Sequence, residues 1–418
     1  MSRNVTLSVS TITLLGTVVV LSAPYPAAGR SVVESGPTWV PAVEPKPLSD
    51  NVKQGLAWLV GTQLPSGGWG QGEESSNMGT ARSNLKDMPN VADTCTATLA
   101  LIRAGSTPAQ GTHAANIRKG VDFVCGQIEE SDPVSLYVTP LRNTRLQMKL
   151  GTYIDTFVAA MLLSEVKDRM PDENGNLRVE AALNKVMEKI EKNQKDDGSW
   201  ENRGWAPALA QAMASKAINR AAQAGAPVDE QVREKAEIFA RLKFDGKSRS
   251  FGLKGSAGVE LYAYAANLGA MQDSDNTNTA MLLDVQAQIA GAKSEEERTQ
   301  AEQTLKRFRE AKSELSNARQ AVIRKLDNPQ FVSGFGSNGG EEFLSYMNIG
   351  ESLVVKGGPE WEKWDKSITQ NLNRIQNPGG SWSGHHCITG RSFCTATALL
   401  VLTVDRAPVR LAAKIRRQ

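Results

Sequence analysis

The chain has 418 residues, of which 40% are apolar and 22% charged, so its composition is that of a globular protein large enough for one large core or two domains. A net charge of +3 excludes little by itself. No basic stripe interleaved with aromatic residues is present, so we expect no nucleic-acid partner, and the basic C-terminal segment 406–418 is interpreted as a solvated tail.

The N-terminal segment has the pattern of a secretory signal peptide. Arg3 precedes an apolar run over residues 12–23, and proline and small residues follow it up to Gly29. The run is too short to span a bilayer comfortably. We therefore predict a signal peptide over residues 1–29, export to the periplasm or the extracellular space, and no transmembrane anchor after cleavage. Residues 30–48 are expected to be an extended lead.

One short motif occurs three times, as a glutamine, a turn-rich spacer, a glycine, one further residue and a tryptophan. The copies are Gln63–Trp69, Gln194–Trp200 and Gln376–Trp382. Each follows an amphipathic stretch with a period of 3.6 residues, and each precedes a stretch that is apolar nearly all round. The repeating unit is therefore predicted to be a half-exposed outer helix, a turn and a buried inner helix.

Weaker copies bring the number of units to six. Outer helices are predicted to precede turns near residues 63, 127, 194, 243, 330 and 376, and inner helices to start near 91, 152, 205, 257, 341 and 391. We predict an all-α fold over residues 49–405, a closed (α/α)6 toroid of six helical hairpins. An open solenoid is the alternative, but it would need polar terminal caps. The charged segment 277–317, between units four and five, is interpreted as a solvated helical excursion, with a partner-binding hairpin as the alternative.

The motif resembles the QW repeat of squalene-hopene and oxidosqualene cyclases, and the alternating helices are similar to the α/α toroid that these enzymes share with protein prenyltransferase β subunits. The resemblance covers roughly residues 45–405. The repeated residues also have a mechanical interpretation, in which the glutamine amide satisfies helix-end groups, glycine permits the turn and tryptophan buries a large flat surface.

The resemblance to cyclases implies an Asp-x-Asp-Asp acid motif, which this chain does not have intact. The nearest string is Asp273-Ser274-Asp275-Asn276, in which asparagine replaces the last aspartate. It follows the predicted inner helix of unit four, so we interpret it as a polar linker that enters the charged excursion. The second motif of that family, Asp-Cys-Thr-Ala-Glu, is matched only in part around Cys95 and Cys394. Class II cyclase chemistry is therefore the third-ranked hypothesis.

The resemblance to prenyltransferases implies a zinc site with an Asp-x-Cys motif at an inner-helix start. Asp93-Thr94-Cys95 occupies such a position in unit one, and a histidine pair precedes the inner helix of unit six. Ring closure would make these units neighbours, and such ligands suit Zn²⁺. The predicted set is Asp93, Cys95, His385, His386 and Cys387.

Other roles for the cysteines stay open. The chain has Cys95, Cys125, Cys387 and Cys394, and two disulfides, free thiols or metal ligation are all compatible with the sequence. A disulfide between Cys387 and Cys394, or Cys95 as a small core residue, would remove the zinc site.

If all inner helices run in the same direction, the polar groups at their starts gather at one mouth of the ring. An acidic cluster beside two histidines could perform acid–base chemistry near neutral pH. Helix capping is the alternative role for the aspartates. The catalytic candidates are His385, His386, Asp93, Asp155 and Glu342.

These observations lead to two main hypotheses. The first is a binding protein whose central cavity holds an apolar, isoprenoid-like ligand or a protein partner, without cyclase chemistry. The second is an enzyme, with zinc as a possible cofactor, that uses a rim site between units one and six. The sequence does not identify the ligand, the substrate or the oligomeric state.

Overall fold

The structure is a computed structural model that describes residues 39–75, 85–336 and 338–410. The predicted signal peptide, residues 30–38 of the predicted lead, and residues 411–418 of the predicted tail lie outside the described residues. Within them the chain forms fourteen α-helices and four short strands, which confirms the all-α class. No helix in this part of the chain is long and apolar enough to cross a membrane.

Twelve of the helices form six consecutive pairs, in which the first helix is half-exposed and the second is largely buried. We refer to them as outer and inner helices. The outer helices are α1 (Asp50–Gly61), α3 (Ala114–Glu130), α6 (Glu173–Lys192), α8 (Glu230–Arg241), α10 (Glu295–Ile323) and α13 (Pro359–Arg374). The inner helices are α2 (Val91–Arg103), α5 (Ile154–Val166), α7 (Pro207–Gln223), α9 (Glu260–Gly291), α12 (Gly340–Lys356) and α14 (Arg391–Leu402). The remaining two, α4 (Arg145–Lys149) and α11 (Pro329–Val332), are short.

The four strands form two small antiparallel pairs. β1 (Trp39–Pro41) pairs with β4 (Pro408–Arg410), with Val40 opposite Val409, so the two ends of the described chain meet. β2 (Phe244–Asp245) pairs with β3 (Ser250–Phe251) in the turn between α8 and α9.

The inner helices contact one another in a cyclic order. Along the chain, α2 packs on α5, α5 on α7, α7 on α9, α9 on α12 and α12 on α14, and α14 packs back on α2. Most outer helices cover the groove between two inner helices: α3 contacts α2 and α5, α6 contacts α5 and α7, and α1 contacts α14 and α2. The inner helices are buried on all sides because they have helices around them, which explains why their sequences are apolar all round.

The repeated glutamines join consecutive outer helices. Each side-chain amide donates to the carbonyl of the turn glycine and to a carbonyl in the first turn of the next outer helix. The pairs of acceptors are Gly67 (2.8 Å) and Asn116 (2.9 Å) for Gln63, Gly198 (3.3 Å) and Val232 (2.8 Å) for Gln194, and Gly380 (2.7 Å) and Asn51 (2.9 Å) for Gln376. The turn glycines have φ values of 84° to 88°. Residues with a Cβ adopt such positive φ values only at an energetic cost.

The repeated tryptophans fasten each turn to the outer helix that precedes it. Each indole N–H donates to the carbonyl ten residues earlier, from Trp69 to Leu59 (2.8 Å), from Trp200 to Ile190 (2.7 Å) and from Trp382 to Leu372 (2.8 Å). All three rings are buried. The indole therefore satisfies a carbonyl at a helix end while its ring fills the space between the helices of a unit.

The interpretation of residues 273–276 as a polar linker is wrong, because they lie inside α9. No proline interrupts the segment Glu260–Gly291, and the side chain of Asp273 is buried against Lys216 of α7 rather than solvated. α9 continues past the ring of contacts and packs along α10, so the charged segment 277–317 forms parts of these two long helices.

Packing at Gly55 of α1 predicts an unusually strict requirement for glycine. A Cβ at this position would lie 2.7 Å from the Trp382 ring and 3.0 Å from Leu399 of α14. We expect Gly55→Ala to lower the free energy of unfolding by about 1–3 kcal/mol through overpacking. Urea denaturation followed by circular dichroism measures the change.

Gly61 of the same helix provides the matched control. A Cβ there would contact nothing within 4 Å. Gly61→Ala should therefore be neutral or stabilising by up to about 1 kcal/mol, from helix propensity. Equal stability of the two variants would contradict the packing account.

Candidate functional site

The predicted site residues lie at the N-terminal ends of the inner helices, but the structure gives them separate partners. Asp93 and Asp155 lie in the first turns of α2 and α5, Glu342 lies in the first turn of α12, and the two histidines precede α14. Of these candidates, the structure brings His386 and Glu342 together as side chains. His385 is exposed and lines a polar cavity of about 400 Å³.

Asp155 caps a neighbouring helix instead of its own. Its carboxylate accepts from the backbone N–H of Ala92 in α2 (2.9 Å) and from the amide of Gln147 (2.8 Å). The N–H of Ala92 is one of the donors that α2 cannot satisfy internally, and a carboxylate at a helix N-terminus is favourable. Burial nevertheless raises the pKa of Asp155, and the two hydrogen bonds oppose that shift.

Asp93 has a similar structural environment on the next helix. Asn90 caps α2 and donates to the Asp93 carboxylate (2.7 Å), and the backbone amide of Phe393 in α14 also stabilises its ionised form. Burial, with a smaller contribution from the charge of Asp155, raises the pKa of Asp93 to about 7. The aspartates thus link α5 to α2 and α2 to α14, and sequence reasoning considered only caps on their own helices.

Glu342 and His386 form the one cluster of side chains at this end that resembles an acid–base site. Glu342 Oε1 accepts from the hydroxyl of Tyr262 (2.5 Å) and from the backbone N–H of Phe335 (2.9 Å). Glu342 Oε2 lies 3.1 Å from His386 Nε2, without the alignment of a hydrogen bond. Both side chains are buried, and His386 Nδ1 has no partner among the described residues. Burial disfavours the imidazolium, but Glu342 and then Glu341 outweigh it and raise the pKa of His386.

Glu341 is the most strongly perturbed acid of this cluster. It is fully buried, and its Oε2 accepts from the backbone N–H of Ile388 (3.2 Å), while Oε1 has no partner among the described residues. Burial, followed by repulsion from Glu342, raises its pKa to about 8, so Glu341 is mostly a neutral acid at pH 7. Glu341 is not among the residues that the sequence predicts for the site, because no local pattern distinguishes it as a buried acid.

The predicted zinc ligands do not fit a zinc site in this structure. Within the described residues, which include all five predicted ligands, no group of three or more His, Cys, Asp or Glu side chains could hold a metal ion. All four cysteines are buried free thiols, and burial raises the pKa of Cys387 to about 12 and also raises the pKa of Cys95. The carboxylate of Asp93 already accepts a hydrogen bond from the Asn90 side chain.

An aromatic surface that the sequence did not reveal lies beside the cluster. Phe335 is 57% exposed, and its ring centroid lies 5.4 Å from that of Trp205 and 5.2 Å from that of His386. Trp205 also contacts Tyr262, and the ammonium of Lys149 lies 5.4 Å from the Trp205 centroid. We call Phe335, Trp205, Tyr262, His386 and Lys149 the mouth site. Phe335 and the half-buried Trp205 thus form an aromatic patch beside His386, and contiguous apolar patches of this kind mark contacts with ligands or partners.

Buried charges lie between the same helices, farther from their N-termini. Lys216 of α7 lies 2.7 Å from Asp273 of α9 and 2.6 Å from Glu351 of α12, and Arg103 of α2 forms a bidentate pair with Glu165 of α5. Despite burial, Lys216, Arg220 and Arg103 lower the pKa of Glu351 to about 2. The cavity beside Lys216 measures only about 10 Å³. This charged layer leaves no room for an apolar ligand between α7, α9 and α12.

No family model matches the chain, and no curated protein matches its sequence.

The raised acid pKa values predict that stability falls as pH rises from about 5 to 8. A buried acid with a raised pKa keeps its proton in the folded state over a range in which the unfolded chain, with a glutamate pKa of about 4.3, has already lost it. Glu341 (about 8) and Asp93 (about 7) both act in this direction, and so does the raised pKa of His386. Glu341→Gln should reduce the slope of the free energy of unfolding against pH by up to about 1.4 kcal/mol per pH unit.

Urea denaturation at pH 5, 6, 7 and 8 measures this slope. Glu296→Gln on α10 is the control, because Glu296 is exposed and should leave the slope unchanged. An unaltered slope in Glu341→Gln would show that this carboxyl group does not retain its proton in the folded protein.

Proposed function

We propose that this is an exported α/α-toroid protein with the architecture of squalene cyclases and prenyltransferase β subunits. Its function is to bind an apolar, isoprenoid-like molecule that has one polar end, at the mouth site. The observation that carries the proposal is the exposed ring of Phe335 beside Trp205 and the partly unpaired His386. An aromatic surface next to unpaired polar atoms matches a ligand of this mixed character.

The helix contacts support the toroid part of the proposal. The six inner helices contact one another in cyclic order, and α14 packs on α2. Gln376 of the last repeat donates to Asn51 of α1 in the same manner as Gln63 donates to Asn116 of α3. Every unit thus has a neighbour on each side, as expected for a ring and not for an open solenoid with two free ends.

The buried charged layer limits how far a ligand could enter between the inner helices. A deep isoprenoid cavity needs apolar walls, whereas the charged side chains of Lys216, Asp273 and Glu351 lie buried between α7, α9 and α12. Binding is therefore proposed at the helix N-termini, where Phe335 and Trp205 supply apolar surface over the buried Tyr262. His386 and Lys149 lie next to these rings and are placed to meet a hydroxyl or phosphate group.

Cyclase chemistry is not part of the proposal. A class II cyclase needs an aspartic acid free to protonate a double bond, and Asp273 is instead held by the Lys216 ammonium at 2.7 Å. Burial raises the pKa of Asp273, but the adjacent Lys216 and Arg220 stabilise its ionised form. A carboxylate in such a pair is an ion-pair partner and a poor acid.

Farnesol, an isoprenoid alcohol, provides the test. Phe335→Ala should weaken the binding of farnesol about tenfold, because it removes both the exposed aromatic surface and the ring contacts. Isothermal titration calorimetry measures the affinity. Leu177→Ala on α6 is the matched control, since Leu177 is 55% exposed and Phe335 57%, and should leave the affinity unchanged. Absence of farnesol binding, or equal affinity in Phe335→Ala, would refute the proposal.

A further inference from the structure

Shared hydrogen bonds identify the equivalent residues of the three strong repeats. The carbonyls that accept from the glutamine amides make Asn116, Asn51 and Val232 equivalent. The position four residues later on the outer helix, which faces the inner helix, is then Gly120 on α3, Gly55 on α1 and Ala236 on α8. The turn glycines give the same alignment, because they approach the carbonyls of Lys119, Gln54 and Lys235, one residue before that position.

The inner helices align in the same way. The backbone N–H of the repeat tryptophan donates to Thr94 after Trp69 (2.9 Å), to Thr395 after Trp382 (2.9 Å) and to the Gln211 side chain after Trp200 (3.3 Å). One helical turn later, the equivalent residues are Thr98, Leu399 and Ser215.

In two copies these positions are in direct contact. A Cβ on Gly120 would lie 2.4 Å from Thr98 Oγ1, and a Cβ on Gly55 would lie 3.0 Å from Leu399 Cδ2. The outer helix therefore lies directly on the inner helix, and no space is left between them. Close packing of this kind is normal for protein interiors.

The third copy contains a cavity of about 280 Å³ at the same place. Both Ala236 and Ser215 line it. The walls consist of alanine pairs at four-residue spacing on three helices, which expose little side chain to the space between them. They are Ala208 and Ala212 on α7, Ala236 and Ala240 on α8, and Ala266 and Ala270 on α9. This space is partly open to solvent, and only the third of the three copies offers room for a ligand between the outer and inner helices.

The polar groups of the cavity indicate the chemistry of that occupant. The hydroxyl of Ser215 is buried, lines the cavity and has no hydrogen-bond partner among the described residues. Lys195, Lys243 and Lys254 line the cavity from the turns that flank it, and the Lys243 ammonium lies 4.2 Å from the centroid of the Phe239 ring. Asp197 also lines the cavity, but its carboxylate accepts from the backbone N–H (3.0 Å) and the hydroxyl (2.6 Å) of Ser199.

We propose that this cavity, which we call the unit-three cavity, binds a single-chain amphipathic carboxylate such as a medium-chain fatty acid. The chain lies between the alanines of α7, α8 and α9, and the carboxylate is held by the lysines at the flanking turns. The site lies between units three and four and contains no residue of the mouth site, so it does not depend on the function proposed above.

Decanoate and decanol, titrated into the full chain by isothermal titration calorimetry, provide the first test. They share the chain and differ in the head group. Decanoate should bind at least tenfold more tightly at low salt, and its affinity should fall as salt rises, because exposed lysines attract the carboxylate through screened charges. Absence of decanoate binding, or equal affinity for decanol, would overturn the proposal.

Variants locate the site. Lys243→Gln combined with Lys254→Gln should weaken decanoate binding about tenfold and flatten its salt dependence, whereas Lys235→Gln on the exposed face of α8 should change neither. Neither lysine variant alters a buried residue, so both should fold. Ala240→Leu should fill the cavity and abolish binding. Unchanged decanoate affinity in the double lysine variant would overturn the assignment.

The mouth-site variant separates this inference from the proposed function. Phe335→Ala should leave decanoate binding unchanged, and the double lysine variant should leave farnesol binding unchanged. Loss of decanoate binding in Phe335→Ala would show that the carboxylate binds at the mouth and would overturn the unit-three assignment.

Discussion

The structure depends on one pair of hydrogen bonds that is repeated around the chain. In each copy, the side-chain amide of the repeat glutamine joins its own turn to the next outer helix. The amide has two donors, and each repeat uses both on backbone carbonyls, one in the turn and one at the start of the following helix. Backbone carbonyls are present at every residue, so the contact does not depend on a particular partner side chain. For that reason the bond from Gln376 can reach α1, 325 residues earlier in the chain, with the geometry that joins consecutive units.

This arrangement places each of these outer helices against the inner helix of the preceding unit, where side chains of both helices meet. Glycine at position 55 or 120 lets the helices touch, and larger inner residues fill the remaining space. In the third copy the equivalent residues, Ala236 and Ser215, line a cavity of about 280 Å³ instead.

The sequence predicts the helices well because their signal is local. Periodicity identified all twelve long helices, and inner-helix starts near 91, 152 and 391 compare with observed starts at 91, 154 and 391. What it missed depends on contacts between distant segments. Asp155 serves α2 instead of α5, Asp273 is buried by Lys216, and Phe335 is exposed beside Trp205. In each case the two contacting residues are more than fifty positions apart in the chain. The local sequence pattern around one residue does not indicate which distant residue it contacts.

The buried acids show why a cluster of carboxylates at helix N-termini is weak support for catalysis. Asp93 and Asp155 satisfy backbone donors of neighbouring helices, so their burial is explained by the fold. Glu342 and His386 differ, because each retains a buried polar atom without a partner among the described residues. Leaving such groups unpaired costs about 1–3 kcal/mol each. The better candidates for function are therefore buried acids with an oxygen that no hydrogen bond satisfies. Among the acids at this end, these are Glu342 and its neighbour Glu341.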